Sequence, residues 1–334
     1  MKICVIGAGG IGGLLAARLA QAGEDVSVIA RGAHLAAIQA EGLKLINEDG
    51  SESVSRIAAS SRIADFGPQD LVVLGMKAHQ VAAVVRELPS LLGPDTPVLT
   101  AQNGIPWWYF LRGGGPHEGR RLESVDPGGV VADNLPAERV LGSVVYPAAE
   151  IVRPGVIKHI EGNRFSIAEI DNSKTERVTR LSEALQKAGF KAPVVSDIRS
   201  EIWTKLWGNL SFNPISALTH ATLEDICRYP LTREAAARLM REAQAVGEAL
   251  GIRFRIPLEK RIAGAEAVGP HKTSMLQDIE AGRAIEADAL IGSVVELGRI
   301  AGVQTPQIET IYACVKLLAE TLSKAGGRLR VEKI

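Results

Sequence analysis

The sequence predicts an α/β amino-terminal domain built on a doubly wound parallel sheet, followed by an all-α carboxyl-terminal domain. Three observations carry this prediction. Short apolar runs alternate with helical patterns over the first hundred residues. A glycine-rich turn, Gly7-Ala8-Gly9-Gly10-Ile11-Gly12, joins the first apolar run to the first helical pattern. Beyond Asp197 the strand signals stop and helical periodicity takes over. The boundary is expected near 196, which gives segments 1–196 and 197–334.

Residues 2–6 read as a buried parallel strand, because the run is apolar and ends in glycine. A helix is expected over 10–22, with Leu14, Leu15 and Leu19 on one side and Gly23 as its stop. A second strand follows over 25–30. Residues 43–46 and 53–57, joined by Glu48-Asp49-Gly50, read as a hairpin. A strand over 71–75, a helix over 80–92 and a strand over 97–100 continue the alternation. Residues 106–135, rich in glycine and proline, read as an extended loop. Strands and turns are expected from 139 to 170, broken at Pro154-Gly155 and Gly162-Asn163. A helix over 174–188 and a strand over 192–195 close the first domain. Helices over 199–219, 231–251, 273–303 and 307–325 form the second.

Length and composition agree with two domains. The chain has 334 residues, 46% of them hydrophobic, enough for a sizeable core in each. Lysine plus arginine equals aspartate plus glutamate at 38 each, so there is no basic excess to hold nucleic acid or an anionic membrane. No apolar stretch approaches the ~20 residues that span a bilayer, and the first residues lack a signal-peptide pattern, so a cytoplasmic protein is expected. Cys4, Cys227 and Cys314 are widely separated and are expected to be buried free thiols. No metal-ligand spacing is present, and no metal is expected.

The glycine loop carries the first chemistry. Gly7, Gly9 and Gly12 form G-x-G-x-x-G between strand and helix. Gly7 permits the turn, Gly9 lets the backbone approach a pyrophosphate, and Gly12 lets helix and strand pack closely. The second strand bears on which dinucleotide binds. An acid near its end would hold a ribose 2′-hydroxyl, but here the chain reads Ile29-Ala30-Arg31-Gly32. Arg31 is placed to pair with a 2′-phosphate, which favours NADP(H); the alternative is a solvated surface arginine. Lys77 and Asn103 follow the strands over 71–75 and 97–100, where ligands of an open α/β sheet bind.

In the second domain Lys205, Asn209 and Asn213 are spaced i, i+4, i+8, so they share one helix face. Trp203 and Trp207 lie roughly opposite and read as core. Asparagine is a poor helix former, so two of them beside a lysine suggest a binding stripe rather than a merely solvated one. A third cluster, His271-Lys-Thr-Ser274-Met-Leu-Gln-Asp278 followed by Glu286, is either functional or a helix start capped by Thr273 or Ser274.

Together these residues resemble the ketopantoate reductases (2-dehydropantoate 2-reductases) over nearly the whole chain. The pieces that match are the 7–12 loop, Met76-Lys77-Ala78, Gln102-Asn103-Gly104, the run from Trp203 through Lys205, Asn209 and Asn213 to Pro214, and Ser274 to Asp278 with Glu286. The resemblance implies a Rossmann-type domain followed by a helical domain of the 6-phosphogluconate-dehydrogenase-like kind. It implies NADPH-dependent reduction of 2-dehydropantoate on the pantothenate route to coenzyme A. Lys205 would be the general acid and Glu286 the acid near the ribose and nicotinamide end, itself both catalytic and cofactor-binding. Asn209, Asn213, Ser274 and His271 would hold substrate, Asn103 would touch substrate and cofactor, and Lys77 and the backbone of Ala149 would touch the cofactor.

One departure bears on substrate. After Gly104 the chain inserts Ile105-Pro-Trp107-Trp108-Tyr109-Phe110 and about twenty further residues. These aromatics either wall the substrate side of the cleft or plug a long loop. A reductase of a different 2-keto acid is therefore an alternative. A non-catalytic NADP(H) sensor is a third reading, but it would not need the Lys205 stripe. A homodimer through the helical domain is one expectation for assembly.

Overall fold

A computed structural model describes residues 1–327; the last seven residues of the expected 197–334 segment lie outside the described residues. The chain divides into two compact units. The first comprises 1–121 and 126–201, and the second comprises 122–125 and 202 onward.

The first unit opens with β1 (Lys2–Ile6), α1 (Gly10–Gln21), β2 (Asp25–Ile29), α2 (Gly32–Glu41), β3 (Leu43–Ile46), β4 (Glu52–Ser55) and β5 (Ala58–Ser60). It continues with β6 (Leu71–Leu74), β7 (Val98–Thr100), α3 (Val130–Asn134), β8 (Val140–Val145), β9 (Ala148–Arg153), β10 (Val156–Glu161), β11 (Phe165–Glu169) and α4 (Glu176–Lys187). Seven strands form one sheet in the order β11-β8-β7-β6-β1-β2-β5, parallel except for β11 against β8. Strand order reverses at β1, the switch point where an open α/β sheet binds its ligand. Four further strands form a second sheet, β4-β3-β10-β9.

The second sheet explains why α1 is apolar almost all round. One side of the helix packs on β1 and β2, and the other meets β3, β9 and β10. Leu14, Leu15, Leu19, Leu43, Leu45 and Ile157 share one buried cluster with the strands of the large sheet. A helix covered on both sides has no face left for charge.

Several sequence expectations are corrected. The segment over 80–92 forms two 3₁₀ helices, Ala78–Ala83 and Val85–Leu91, instead of one α-helix. Pro89 lies inside the second and cannot donate an amide hydrogen bond there. Residues 192–195 run beside β11 through isolated bridges and form no strand. Helix α2 and strand β5 were not anticipated. The hairpin of β3 and β4 is present.

The second unit is helical among the described residues. Helix α5 (Ile198–Thr219) begins in the first unit and continues into the second. Helices α6 (Leu223–Arg228), α7 (Pro230–Ala249), α8 (Leu258–Ala267), α9 (Ser274–Glu280), α10 (Ser293–Ala301) and α11 (Pro306–Lys324) follow. The single helix expected over 273–303 is interrupted. α9 ends before Gly282 (φ 65°), and a π-helical turn over Asp288–Gly292 leads into α10. Helices α6 and α8 were not anticipated. Trp203 and Trp207 are buried as expected. Both rings pack against Phe254, and Trp207 donates from Nε1 to the Met240 carbonyl at 2.7 Å. Cys4 and Cys227 are buried, but Cys314 is exposed on α11, contrary to the expectation for all three. No helix among the described residues is long and apolar enough to cross a membrane.

Candidate active site

The loop of the first unit is built by steric constraint. Gly7 sits at φ +93°, a left-handed conformation that strains other residues. A Cβ on Gly10 would lie 2.0 Å from the carbonyl oxygen of Ala149, so β9 presses directly on the loop. Gly12 meets the Gly7 carbonyl oxygen just as closely, and Gly75, at the end of β6, would place a Cβ 2.8 Å from Gly12 Cα. By contrast, a Cβ on Gly9 would meet nothing within 4 Å. The loop is thus braced from behind and open at one point in front.

The electrostatics suit an anion there. The first backbone bond of α1 runs from Gly13 N to Gly9 O at 2.7 Å. The N–H groups of Gly10, Ile11 and Gly12 precede it and lie at the positive end of the helix dipole. The first turn carries no acidic residue. A pyrophosphate fits such a cradle, so these residues suit a dinucleotide. Arg31 is exposed at the N-cap of α2, one residue past Ala30 at the end of β2. Met76 packs on Gly7, which puts Lys77 one residue beyond the loop contact. Gln102 donates to the carbonyls of Leu74 (2.6 Å) and Met76 (3.2 Å). This ties the ends of β6 and β7 together and places Lys77 and Asn103 at neighbouring strand ends. The backbone of Ala149 lies beside the loop at Gly10.

The aromatic insertion is anchored in the first unit. Trp108 donates from Nε1 to Thr100 Oγ1 at 3.1 Å. The Arg199 guanidinium lies over Trp108 and Tyr109 and donates to the carbonyls of Tyr109, Leu111 and Ile170. Trp108 and Tyr109 are therefore plug residues. Trp107 is buried, and its Nε1 has no hydrogen-bond partner among the described residues.

A cavity of about 550 Å³ lies at the opposite, amino-terminal edge of the large sheet, lined by Met1, Asp70, Pro97, Arg139 and Arg177. Two of its guanidiniums are engaged, Arg139 by the Gly93 and Thr96 carbonyls and Arg177 by Glu169. It lies away from the glycine loop and carries no comparable anion cradle.

In the second unit the chemistry centres on Lys205. Burial pushes its ammonium down from the usual 10.5 to about 8, against the opposing pull of the Glu286 carboxylate, which favours the charged form. The residue as a whole is half-buried, and its ammonium is desolvated. Asn209, one turn on, is half-buried, and Asn213 is buried with no hydrogen-bond partner for Nδ2 among the described residues. A buried amide donor without a protein partner calls for one from outside the chain. Thr273, not Ser274, is the N-cap of α9, accepting from Leu276 N at 3.3 Å. Ser274 is therefore exposed at the first helical position. The half-buried His271 precedes the cap, and its carbonyl accepts from Leu223 N. Glu286 lies two residues before the π-helical turn, a local form often found at functional sites. Among the described residues no group of His, Cys, Asp and Glu could hold a metal ion.

Sequence reasoning missed two features of the loop's surroundings. One is the bracing of Gly10 by Ala149. The other is His34, whose Nε2 lies 2.8 Å from the Ala8 carbonyl oxygen. The only sequence signal for the first was an extra glycine inside the G-x-G-x-x-G pattern.

A glycine-cradled dinucleotide loop at a sheet switch point, with a desolvated lysine on a helical unit, defines the class: a nicotinamide-dependent oxidoreductase. Comparison with known proteins narrows it. The family model Ketopantoate reductase PanE/ApbA matches residues 3–172, and its C-terminal counterpart matches 197–319. A 2-dehydropantoate 2-reductase of Mesorhizobium japonicum is 56% identical over 96% of this chain and 98% of its own length. A solved candidate ketopantoate reductase from Ralstonia solanacearum is 41% identical, with TM-score 0.92 over 96% of this chain and 98% of that one. A 2-dehydropantoate 2-reductase from Methylococcus capsulatus is 28% identical, with TM-score 0.82 over 97% and 98%. The chain belongs to the ketopantoate reductase family.

The contact at Gly10 yields a test. Gly10→Ala forces the loop and β9 apart, an overpacking strain worth about 1–3 kcal/mol. Nicotinamide dinucleotide affinity, read by fluorescence titration, is expected to fall by about tenfold or more while the far-UV spectrum stays unchanged. Unaltered affinity would contradict this account of the loop.

Proposed function

We propose that this protein reduces the ketone of 2-dehydropantoate to the alcohol of pantoate, with NADPH as donor and Lys205 as general acid. When bound, the reduced nicotinamide supplies a hydride equivalent to the keto carbon. The observation that carries the reading is Lys205 itself, a desolvated ammonium held to about 8 beside Glu286. A proton donor with that value is charged at neutral pH and gives up its proton readily, as general acid catalysis requires.

Lys205 Nζ donates a hydrogen bond to the keto oxygen. Its charge opposes the negative charge that grows on that oxygen, and its proton then passes to it. Glu286 favours the protonated lysine between turnovers. The amides of Asn209 and Asn213 donate to the substrate carboxylate and hydroxyl, and Asn213 Nδ2 has no competing acceptor among the described residues. Ser274 and His271 close the substrate side of α9. In the first unit, the 7–12 loop takes the pyrophosphate, Arg31 the 2′-phosphate, and Lys77, Asn103 and Ala149 the rest of the cofactor. The reading carries a cytoplasmic, homodimeric enzyme of the pantothenate route. The 56% identity to a protein named 2-dehydropantoate 2-reductase supports this substrate over another 2-keto acid.

NADPH oxidation measured against a panel of 2-keto acids tests the substrate and the acid together. Turnover of 2-dehydropantoate is expected, and Lys205→Ala should cut kcat by about a hundredfold or more. Turnover of another keto acid in its place would overturn the substrate. A near-native rate in Lys205→Ala would overturn the acid. For the cofactor, Arg31→Ala should raise the KM for NADPH about tenfold or more while that for NADH barely moves, because only NADPH carries the lost charge-assisted contact. An equal rise for both would remove Arg31 from cofactor selection.

A further inference from the structure

Helix α2, which begins just after Arg31, is weakly anchored. Ile38 is its one buried residue. Its carboxyl half is tied by Gln39 Nε2 to the Ala59 carbonyl at 2.9 Å, and Arg56 donates to the Ala40 carbonyl at 3.0 Å. At its amino end the side-chain tie is His34. The Gly155 amide in the turn between β9 and β10 donates to His34 Nδ1 at 3.0 Å. Nδ1 must therefore carry a lone pair, so the proton of the neutral ring sits on Nε2 and donates to the Ala8 carbonyl in the glycine loop at 2.8 Å. Both ring nitrogens are thus used, and by two different segments. Burial pushes the imidazole below its ordinary value, in keeping with a neutral ring.

The β9–β10 hairpin supports the same corner twice more. The Ala149 carbonyl presses on Gly10, and Gly155 packs so closely on Ala37 of α2 that a Cβ there would lie 2.9 Å away. His34 therefore joins three pieces: the phosphate loop, the hairpin behind it and the helix that Arg31 caps. The first backbone bond of that helix, Leu35 N to Arg31 O at 3.3 Å, carries the restraint to Arg31 within one turn.

We propose that His34 is a positioning residue for cofactor selection: its bridge between the Ala8 carbonyl and the Gly155 amide holds the amino end of α2 so that Arg31 meets the 2′-phosphate. This rests on the reading of Arg31 given above. It differs from a general packing role in one measurable way. A bridge that acts through Arg31 governs the preference for NADPH over NADH, whereas a packing residue governs the binding of both.

The test compares kcat/KM for NADPH and NADH in the wild-type protein, Arg31→Ala, His34→Leu, His34→Gln and the double variant. Leucine fills much of the ring's volume without either hydrogen bond, and glutamine keeps one donor and one acceptor. His34→Leu is expected to lower the NADPH:NADH ratio about fivefold, the worth of a hydrogen bond. His34→Gln should recover most of it, and the double variant should show a ratio no lower than Arg31→Ala alone. If His34→Leu does not fold, His34→Asn, too short to reach both partners, should give the same fall. A ratio unchanged in the His34 variants, with Arg31→Ala still lowering it, overturns the inference and leaves the cofactor reading intact. A ratio unchanged in Arg31→Ala overturns both.

Discussion

The proposed chemistry depends on keeping one ammonium group, that of Lys205, where water cannot fully solvate it. A lysine in water would hold its proton too tightly to act as an acid near neutrality, and a lysine buried alone would lose its charge altogether. Here burial of Lys205 is partly offset by Glu286, and the balance falls near 8. Both groups belong to the second unit. Trp203 and Trp207 pack against Phe254 and fix the rotation of α5, and α9 and the π-helical turn flank the segment that presents Glu286.

The proposed role of the first unit poses a different problem, that of bringing backbone close to a pyrophosphate. Its solution is steric. Gly10 and Gly12 are pressed from behind by the Ala149 and Gly7 carbonyls, while the space beyond Gly9 stays open. The small second sheet makes this possible, since it covers α1 and supplies both Ala149 and the Gly155 turn. The anion cradle therefore depends on strands far along the chain from the loop itself.

That distance sets what was legible in the sequence. The loop, the strands on either side of it and the stripe of Lys205, Asn209 and Asn213 were legible because their signals are local: a fixed glycine spacing, apolar runs and a helical repeat of four. Glu286 was legible only as a neighbour of the 271–278 cluster, and its pairing with Lys205 was not, because that relation is made by tertiary packing across many intervening residues. Helix α2 was missed because it buries only Ile38 and so has almost no apolar period. The segment around Pro89 kept a helical apolar pattern but lacked the amide needed for a regular helix. The 273–303 region read as one helix because its periodicity survives the break at Gly282. Trp107 to Phe110 could be read as wall or plug, and only the contacts of Trp108 and Tyr109 with Thr100 and Arg199 separate the two.

On the proposed mechanism one ammonium, balanced between burial and Glu286, supplies the proton. The pH dependence of single-turnover 2-dehydropantoate reduction, in the wild-type protein and in Glu286→Gln, tests it most directly. The acid must be protonated to act, so the wild-type rate should fall as pH rises through about 8. Glu286 raises the value of Lys205, so its neutralisation should move that limb to lower pH. A limb that stays in place in Glu286→Gln, or a wild-type rate that is flat across this range, would contradict the account.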